Sequence, residues 1–155
     1  MTAEKAPVRL VDYRPPDFLI DTVDLDIKLD PTATRVTARL AMRPNGTDVT
    51  SLTLDGDELA LVSVSLDGRP LAADDFAATR DRLTIPNVPA ASFTLENETE
   101  VTPTSNTKLM GLYRTSGAYC TQCEAEGFRR ITYFLDRPDV LAVYTTRIEA
   151  DRGEA

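Results

Sequence analysis

Apolar and polar residues alternate along two stretches near the start of this chain, and the alternation constrains its fold more than any other feature. From Val23 to Leu29, apolar side chains occupy every second position. After a turn at Asp30–Thr32, the stretch from Arg35 to Arg43 repeats the pattern. A period of two places successive side chains on opposite faces of a β-strand. We therefore expect two strands paired as an antiparallel hairpin, each with one face in a core.

Shorter runs of the same kind continue as far as Val101, separated by turn residues. These runs are centred on Leu52 and Leu54, on Val62, Val64 and Leu66, on Leu83 and Ile85, and on Phe93, Leu95 and Val101. The dipeptide Asp67-Gly68 suits a tight turn between antiparallel strands and predicts another hairpin. No stretch up to Val101 shows a 3.6-residue apolar period, and turn signals recur about every 8 to 12 residues. The predicted class is all-β, an antiparallel domain with the turn spacing of sandwiches and open barrels.

The last third of the chain is less regular. The stretch Leu109–Tyr119 is expected to add one or two strands around its glycines. The helix formers of Glu124–Glu126 are followed by Gly127, which predicts an irregular loop and then a short helical turn. A final strand is expected over Val143–Ile148. Short helical turns should therefore lie near the C-terminus.

The charged residues and the absence of histidine narrow the possible functions. The chain has 17 basic and 25 acidic residues, a net charge of −8 and no histidine. Because a negative protein repels phosphates and anionic lipid, we expect neither nucleic acid nor a membrane as a partner. Without histidine the chain cannot form a His-based zinc site, a Ser–His dyad or a Cys–His pair. We therefore expect no catalytic residue and no metal ligand in it.

Two further features bear on the cellular setting. The segment Met1–Leu10 lacks the apolar stretch of a signal peptide, which favours a cytoplasmic protein. Cys120 and Cys123 have the C-x-x-C spacing that elsewhere marks zinc or a redox centre. Since they are the only 2 cysteines and no βαβ pattern surrounds them, two reduced thiols are the favoured interpretation. A disulfide and a metal site remain as alternatives.

Three segments carry a resemblance to a known family. They are DYRPPD over Asp12–Asp17, NTKLMGLY over Asn106–Tyr113, and CTQCEAEGFRRITYFLDRPDVL over Cys120–Leu141. Together they resemble the N-terminal domain of bacterial aminopeptidase N, a zinc metallopeptidase family of the gluzincin type. The similarity covers most of the chain and is weakest over about residues 44–91.

The resemblance implies a saddle-like or sandwich-type antiparallel β domain that forms one wall of an active-site cavity, beside a catalytic domain of the same polypeptide. It implies that Glu124 binds the free α-amine of a peptide substrate and that Gln122 lines the pocket for the first side chain. The family's zinc-binding His-Glu-x-x-His helix and its Gly-Ala-Met-Glu-Asn segment are absent from this sequence. The implied protein is a fragment, inactive alone, of an enzyme that holds zinc elsewhere and releases N-terminal amino acids from peptides.

Neighbouring residues carry further expectations. Arg129 and Arg130 should form structural ion pairs with Glu124, Glu126 or Asp136, and Tyr133 and Phe134 should be core or interdomain contacts. If a catalytic domain is missing, an apolar patch should be exposed near Gln122–Leu135, which self-association of the fragment would cover.

The expected organisation is a flexible N-terminus over residues 1–6, a single β domain over residues 7–151 and a truncated tail over residues 152–155. Two other classes of function remain as alternatives. One is a stand-alone β-sandwich that binds a protein or a carbohydrate. The other is a small redox or metal protein that uses its C-x-x-C.

Overall fold

The computed structural model describes residues 9–46 and 49–151, and over these ranges the chain consists of strands, turns and three short 3₁₀ helices. The strands are β1 (Phe18–Lys28), β2 (Thr34–Pro44), β3 (Leu52–Asp55), β4 (Ala60–Leu66), β5 (Arg69–Pro70), β6 (Ala77–Thr79), β7 (Arg82–Ile85), β8 (Phe93–Val101), β9 (Gly111–Thr115), β10 (Ala118–Gln122) and β11 (Val143–Glu149). The helices are Leu10–Asp12, Pro103–Ser105 and Phe128–Arg130. The predicted all-β class is confirmed.

Parts of the expected organisation fall outside this description. The N-terminus over residues 1–6 and the tail over residues 152–155 lie outside the described residues, and the single domain over residues 7–151 stays a prediction. Within the described ranges, no helix has the length and apolar character that a bilayer crossing requires.

The strands form three sheets that share one core. The largest sheet has six strands in the order β11-β1-β2-β8-β4-β5, a second has the order β3-β7-β6, and β9 and β10 form a separate hairpin. Side chains from all three sheets and from the loop after the hairpin meet in one cluster of buried apolar residues. The hairpin is therefore a separate sheet that packs against the same core as the other two.

The predicted hairpin of β1 and β2 is confirmed, with Val23 opposite Leu40 and Leu25 opposite Ala38. The strand β1 begins earlier than its alternation indicates, because a bulge between Ile20 and Thr22 shifts the pairing. The bulge interrupts the period of two while Phe18 and Ile20 stay buried.

A second bulge corrects the predicted faces of β4. The alternation predicts that Val62 and Val64 share the core face, but the pairing with β8 shifts between Leu61 and Ser63. Val64 is buried, whereas Val62 is the extra residue and is exposed. Leu61, which is half-buried, takes its place on the inner side.

The strand β8 alternates over its whole length between a buried and a half-exposed face. Two of its buried positions are polar, and both bind the segment that follows Arg130. The Thr99 hydroxyl donates to the carbonyl of Ile131 at 3.0 Å, and the Thr132 hydroxyl donates to Asn97 Oδ1 at 2.7 Å. These bonds fasten the C-terminal loop to the centre of the large sheet.

The strand β11 corrects the expectation of a purely antiparallel domain. It pairs with β1 in parallel, with Thr22 opposite Val143 and Lys28 opposite Glu149. The local alternation in Val143–Ile148 predicts a strand but carries no information on its direction. Every other strand pair in the described residues is antiparallel.

Candidate functional site

Gln122 and Glu124 lie at the end of the β9–β10 hairpin. Gln122 is the last residue of β10 and pairs with Gly111, the first residue of β9. Glu124 follows in a turn over residues 124–127, and its peptide bond to Ala125 is cis. Both side chains are exposed. The two side chains therefore lie on the surface where β10 ends and the following turn begins.

The turn packs directly against the end of β10 because residue 127 is glycine. A Cβ atom at this position would lie 2.9 Å from Cys123 Cα, 3.0 Å from the Gln122 carbonyl oxygen and 2.9 Å from Met110 Cε. Two of these neighbours are backbone atoms, which cannot move aside. A side chain at position 127 would therefore push the turn away from the strand.

Arg129 fastens the far side of this turn. Its Nε donates to Asp136 Oδ2 at 2.7 Å, and its guanidinium lies 3.3 Å from Glu126 Oε2. Asp136 is buried and also accepts a hydrogen bond from the Arg129 backbone N–H at 3.2 Å. The predicted structural ion pairs of Arg129 are confirmed.

Arg130 has different partners from those expected. Its guanidinium lies 2.8 Å from Asp57 Oδ2 and 2.7 Å from Glu58 Oε2, and Lys108 Nζ lies 3.1 Å from each carboxylate. The expectation that Arg130 pairs with Glu124, Glu126 or Asp136 is wrong. Glu58 is 72 positions away in the chain, so no local pattern indicates the pair.

The cluster of Asp57, Glu58, Lys108 and Arg130 balances two negative with two positive charges. Burial opposes ionisation of Asp57, but hydrogen bonds from Arg130 and Lys108 outweigh it and hold the pKa of Asp57 below its ordinary value. Hydrogen bonds from the same two cations lower the pKa of Glu58. Burial also opposes the charged form of Arg130, yet hydrogen bonds to Glu58 and Asp57 raise its pKa.

The Glu124 carboxylate differs from these acids. Among the described residues it has no cationic side chain within ion-pairing distance and no side-chain hydrogen bond, whereas neighbouring Glu126 is paired with Arg129. An exposed carboxylate without a partner is free to bind a cation from outside the chain. Glu124 has this property because the local cations are already neutralised by other acids.

The two cysteines are free and half-buried. Burial raises the pKa of the Cys123 thiol, and the Asp136 carboxylate adds to the effect. A raised pKa disfavours the thiolate, which is the form that attacks disulfides and binds metals. Nor do the described residues contain a group of three or more His, Cys, Asp or Glu side chains able to hold a metal ion.

Several exposed apolar side chains lie on strand β11 and just before it. Tyr133 and Phe134 are buried, as expected of core residues, so the apolar patch does not lie on the Gln122–Leu135 segment itself. The exposed apolar residues lie just beyond: Leu141 (85% exposed), Val143 (70%), Tyr144 (47%) and Ile148 (62%). Tyr144 and Ile148 lie on the face of β11 that also carries their partners Val23 and Ile27, whereas Val143 points to the opposite face. The Tyr144 ring contacts Phe128, the residue just after the turn that carries Glu124, at 5.9 Å between centroids.

Comparison with known proteins gives consistent results at the level of family, sequence and fold. The family described as peptidase M1 N-terminal domain matches residues 18–154. Aminopeptidase N of Caulobacter vibrioides is 55% identical over 144 residues, which are 93% of this chain and 17% of that protein. Aminopeptidase N of Escherichia coli is 48% identical over 141 residues, 91% of this chain and 16% of that protein.

Solved structures show the same fold. Aminopeptidase A of Legionella pneumophila, in complex with aspartic acid, superposes with a TM-score of 0.83 at 37% identity, over 91% of this chain and 17% of that one. An M1 zinc metallopeptidase of Deinococcus radiodurans superposes with a TM-score of 0.73 at 16% identity, over 88% of this chain and 33% of that one. The chain spans about one sixth of the length of its curated relatives. It belongs to the peptidase M1 N-terminal domain family.

Proposed function

We propose that this chain is the substrate-facing N-terminal domain of a zinc aminopeptidase that releases N-terminal amino acids from peptides. In this proposal Glu124 binds the free α-amine of the substrate, and Gln122 lines the pocket for its first side chain. Family membership supports the class of enzyme, since curated relatives that are 48% and 55% identical to this chain are aminopeptidases N. The alternative of a stand-alone binding module has no comparable support.

The observation that carries the residue assignment is the Glu124 carboxylate, which has no cationic partner within residues 9–46 and 49–151 and lies on a turn held by Gly127 and Arg129. An α-ammonium is a compact cation with three N–H donors, which suits a carboxylate at the closed end of a cavity. The same carboxylate discriminates against a blocked N-terminus, which has lost its charge. The aspartic acid bound to the Legionella relative is a ligand with such a free α-amine.

Zinc belongs to the remainder of the enzyme in this proposal. This chain has no histidine, and its described residues do not group into a metal site, so they do not fit the ion. In the full-length enzyme the ion would supply Lewis-acid activation of water or the peptide carbonyl. The isolated chain should therefore have no peptidase activity.

The partner that we propose for the exposed apolar residues Tyr144 and Ile148, which share one face of β11, is the catalytic domain of the same polypeptide. Tyr144 contacts Phe128, the residue just after the turn of Glu124, so a domain that covers Tyr144 would also lie next to the carboxylate. In the isolated chain the same residues favour self-association.

We further propose a cytoplasmic setting. Two free thiols only three positions apart in the sequence are typical of a reducing compartment. Thiol counting on the protein purified from the cytoplasm should give two reduced cysteines.

A chimera tests the proposed function. Residues 18–154 of this chain would replace the matching segment of the Caulobacter aminopeptidase N, and hydrolysis of an unblocked peptide would be measured. Glu124→Gln should raise KM by about 10-fold or more, because a charge-assisted bond to the substrate is lost. The chimera should not cleave the same peptide after N-acetylation.

Glu126→Gln is the matched control, because Glu126 has the same charge and lies in the same turn but already pairs with Arg129. It should leave KM nearly unchanged. Equal effects of the two substitutions would overturn the assignment of Glu124.

A further inference from the structure

Arg130 contacts both ends of the hairpin-and-turn segment that carries Gln122 and Glu124. Its backbone N–H donates to the carbonyl of Gly127, the last residue of the turn, at 3.1 Å. Its side-chain Nε donates to the carbonyl of Met110, the residue just before β9, at 3.0 Å. One residue thus fixes the point where the segment leaves the body of the domain and the point where it returns.

The close approach of Gly111 to Arg130 strengthens this connection. Gly111 has a φ of +71°, and a Cβ atom there would overlap the Cβ of Arg130. Because Gly111 pairs with Gln122 in the hairpin, a shift of Arg130 relative to Gly111 displaces the end of β10 directly. Asn106 supports the same place, since its Nδ2 donates to the carbonyls of Met110 at 2.7 Å and Leu112 at 2.9 Å.

The other end of the Arg130 side chain is anchored in the body of the domain. Its guanidinium pairs with Asp57 and Glu58, which follow β3, and the backbone N–H of Asp57 donates to the carbonyl of Arg129 at 3.0 Å. The Arg130 side chain is only 6% exposed. A guanidinium is planar and rigid, so it transmits position between its partners better than a flexible ammonium does.

We propose that Arg130 is a positioning residue, which sets the place of Glu124 and Gln122 relative to the body of the domain through Met110, Gly111 and Gly127. The consequence of this positioning role for substrate binding rests on the function proposed above. The structural part of the proposal does not, because the position of the segment can be measured in the isolated chain.

The first experiment uses amide hydrogen exchange of the isolated chain, measured by NMR. Arg130→Met removes the guanidinium while keeping an unbranched side chain. We expect exchange to accelerate at the amides of residues 111–127 more than at those of β1 and β2. The control is Met42→Ala, a truncation of a core side chain far from Arg130. Met42 lies opposite Phe93, the first residue of β8, whereas Val101, the last residue of β8, lines the same small cavity as Arg130. A uniform acceleration in both variants would overturn the proposal.

The second experiment uses the chimera with the Caulobacter enzyme. Arg130→Met should raise KM for an unblocked peptide by about 10- to 100-fold, since a shift of about 1 Å in a binding group has that effect. The value of kcat should change less, because the α-amine is bound in the ground state as well as in the transition state. Arg130→Lys keeps the positive charge but loses the bond of Nε to the Met110 carbonyl, so its KM should lie between those of the unsubstituted chimera and Arg130→Met. Met42→Ala should leave KM unchanged.

The outcomes separate the two proposals. If Glu124→Gln leaves KM unchanged, the proposed function fails whatever Arg130→Met does. If Glu124→Gln raises KM but a folded Arg130→Met does not, only the positioning role fails. Should Arg130→Met not fold, Glu58→Gln replaces it: Glu58 is 48% exposed and tolerates substitution, and the loss of its ion pair should give the same pattern with a smaller change in KM.

Discussion

Two of the arginine–carboxylate pairs of this molecule lie in different regions and differ in their surroundings. On the outer face of the large sheet, Arg39 lies 2.6 Å from Glu96, with 59% of the arginine side chain and 36% of the glutamate side chain exposed. At the base of the β9–β10 hairpin, Arg130 lies 2.7 Å from Glu58, and the arginine side chain is 6% exposed. The distances are nearly equal, so distance does not distinguish the pairs.

What distinguishes them is the alternative available to the arginine when its partner is lost. Arg39 would be hydrated at once, so its pair contributes little free energy. Arg130 is nearly buried, so its charge would be poorly hydrated without its carboxylate partners. Arg130 also donates a hydrogen bond to the backbone carbonyl of Met110, whereas Arg39 donates only to Glu96 among the described residues. Burial and position, rather than geometry of the pair, should therefore decide which arginine affects the fold and the site.

The largest expected effect is that of Arg130→Met on stability. The substitution removes the bonds of a nearly buried guanidinium to Asp57, Glu58 and the Met110 carbonyl. Hydrogen bonds that involve a charged group contribute about 1.5–3 kcal/mol each, so we expect a loss of about 3–5 kcal/mol in the free energy of unfolding. Urea denaturation of the isolated chain measures the change. A loss below about 1 kcal/mol, the range of exposed pairs, would remove the distinction between the two regions.

A smaller effect is expected from Gly111→Ala, which disturbs the same contact from the other side. The positive φ and the overlap with Arg130 should together cost about 2–4 kcal/mol. Gly117, at the tip of the hairpin, is the matched control: its φ is +86°, and no described atom lies within 4 Å of a Cβ there. Gly117→Ala should cost about 1 kcal/mol, from backbone strain alone. Equal melting temperatures of the two variants would show that the contact with Arg130 contributes nothing.

The next effect is that of acid on the cluster of Asp57, Glu58, Lys108 and Arg130. The folded-state pKa values of Asp57 and Glu58 are lowered, so the two carboxylates stabilise the fold above their unfolded-state pKa values. This stabilisation is lost as the pH falls through their folded-state pKa values. Stability should therefore decline below about pH 4. Glu58→Gln should flatten this decline in thermal melts from pH 7 to pH 2. A parent and a variant with parallel profiles would contradict the assignment.

Arg39→Met should have an effect of about 0–1 kcal/mol, and salt should reduce it further. Urea denaturation without salt and with salt at about 0.5 M, which screens exposed charges, measures the loss of stability and its dependence on salt. A salt-insensitive loss as large as that of Arg130→Met would mean that exposure does not set the energy of these pairs.

The smallest expected signal is that of a free dipeptide on the isolated chain. A single exposed ion pair contributes about 0–1 kcal/mol, whereas association costs about 4–15 kcal/mol. NMR titration of an unblocked dipeptide should therefore show no saturable shift at Glu124. Saturation at millimolar concentration or below would mean that the site is complete without a second domain.

The comparison also shows which features the sequence predicts. Alternation identifies β1, β2, β8 and their outer charged faces, because each face of a strand meets a uniform environment. It fails at Val62, where a bulge inserts one residue without leaving a mark in the pattern. It also gives no direction for β11, since pairing with β1 depends on the course of the chain between them.

The candidate site is likewise predictable from the sequence only in part. The resemblance supplies Gln122 and Glu124, and the structure places both on one exposed turn. The partners of Arg130 are not predictable from one sequence, because Asp57 and Glu58 lie in a different part of the chain and look like solvated surface acids. Only the glycines at positions 111 and 127 give a local signal, and the sequence does not say what approaches them.

The parallel pairing of β1 with β11 has a consequence for biosynthesis. Asp26 and its partner Arg147 are 121 positions apart, so one edge of β1 stays open while everything between them is translated. At about 5–20 residues per second this interval lasts roughly 6 to 24 s. During that time the free edge of β1, in the hairpin of β1 and β2, exposes unpaired backbone N–H and C=O groups, and such an edge promotes aggregation. Ribosome-associated chaperones should therefore matter more for the yield of this domain than for a domain whose last strand joins its immediate predecessor.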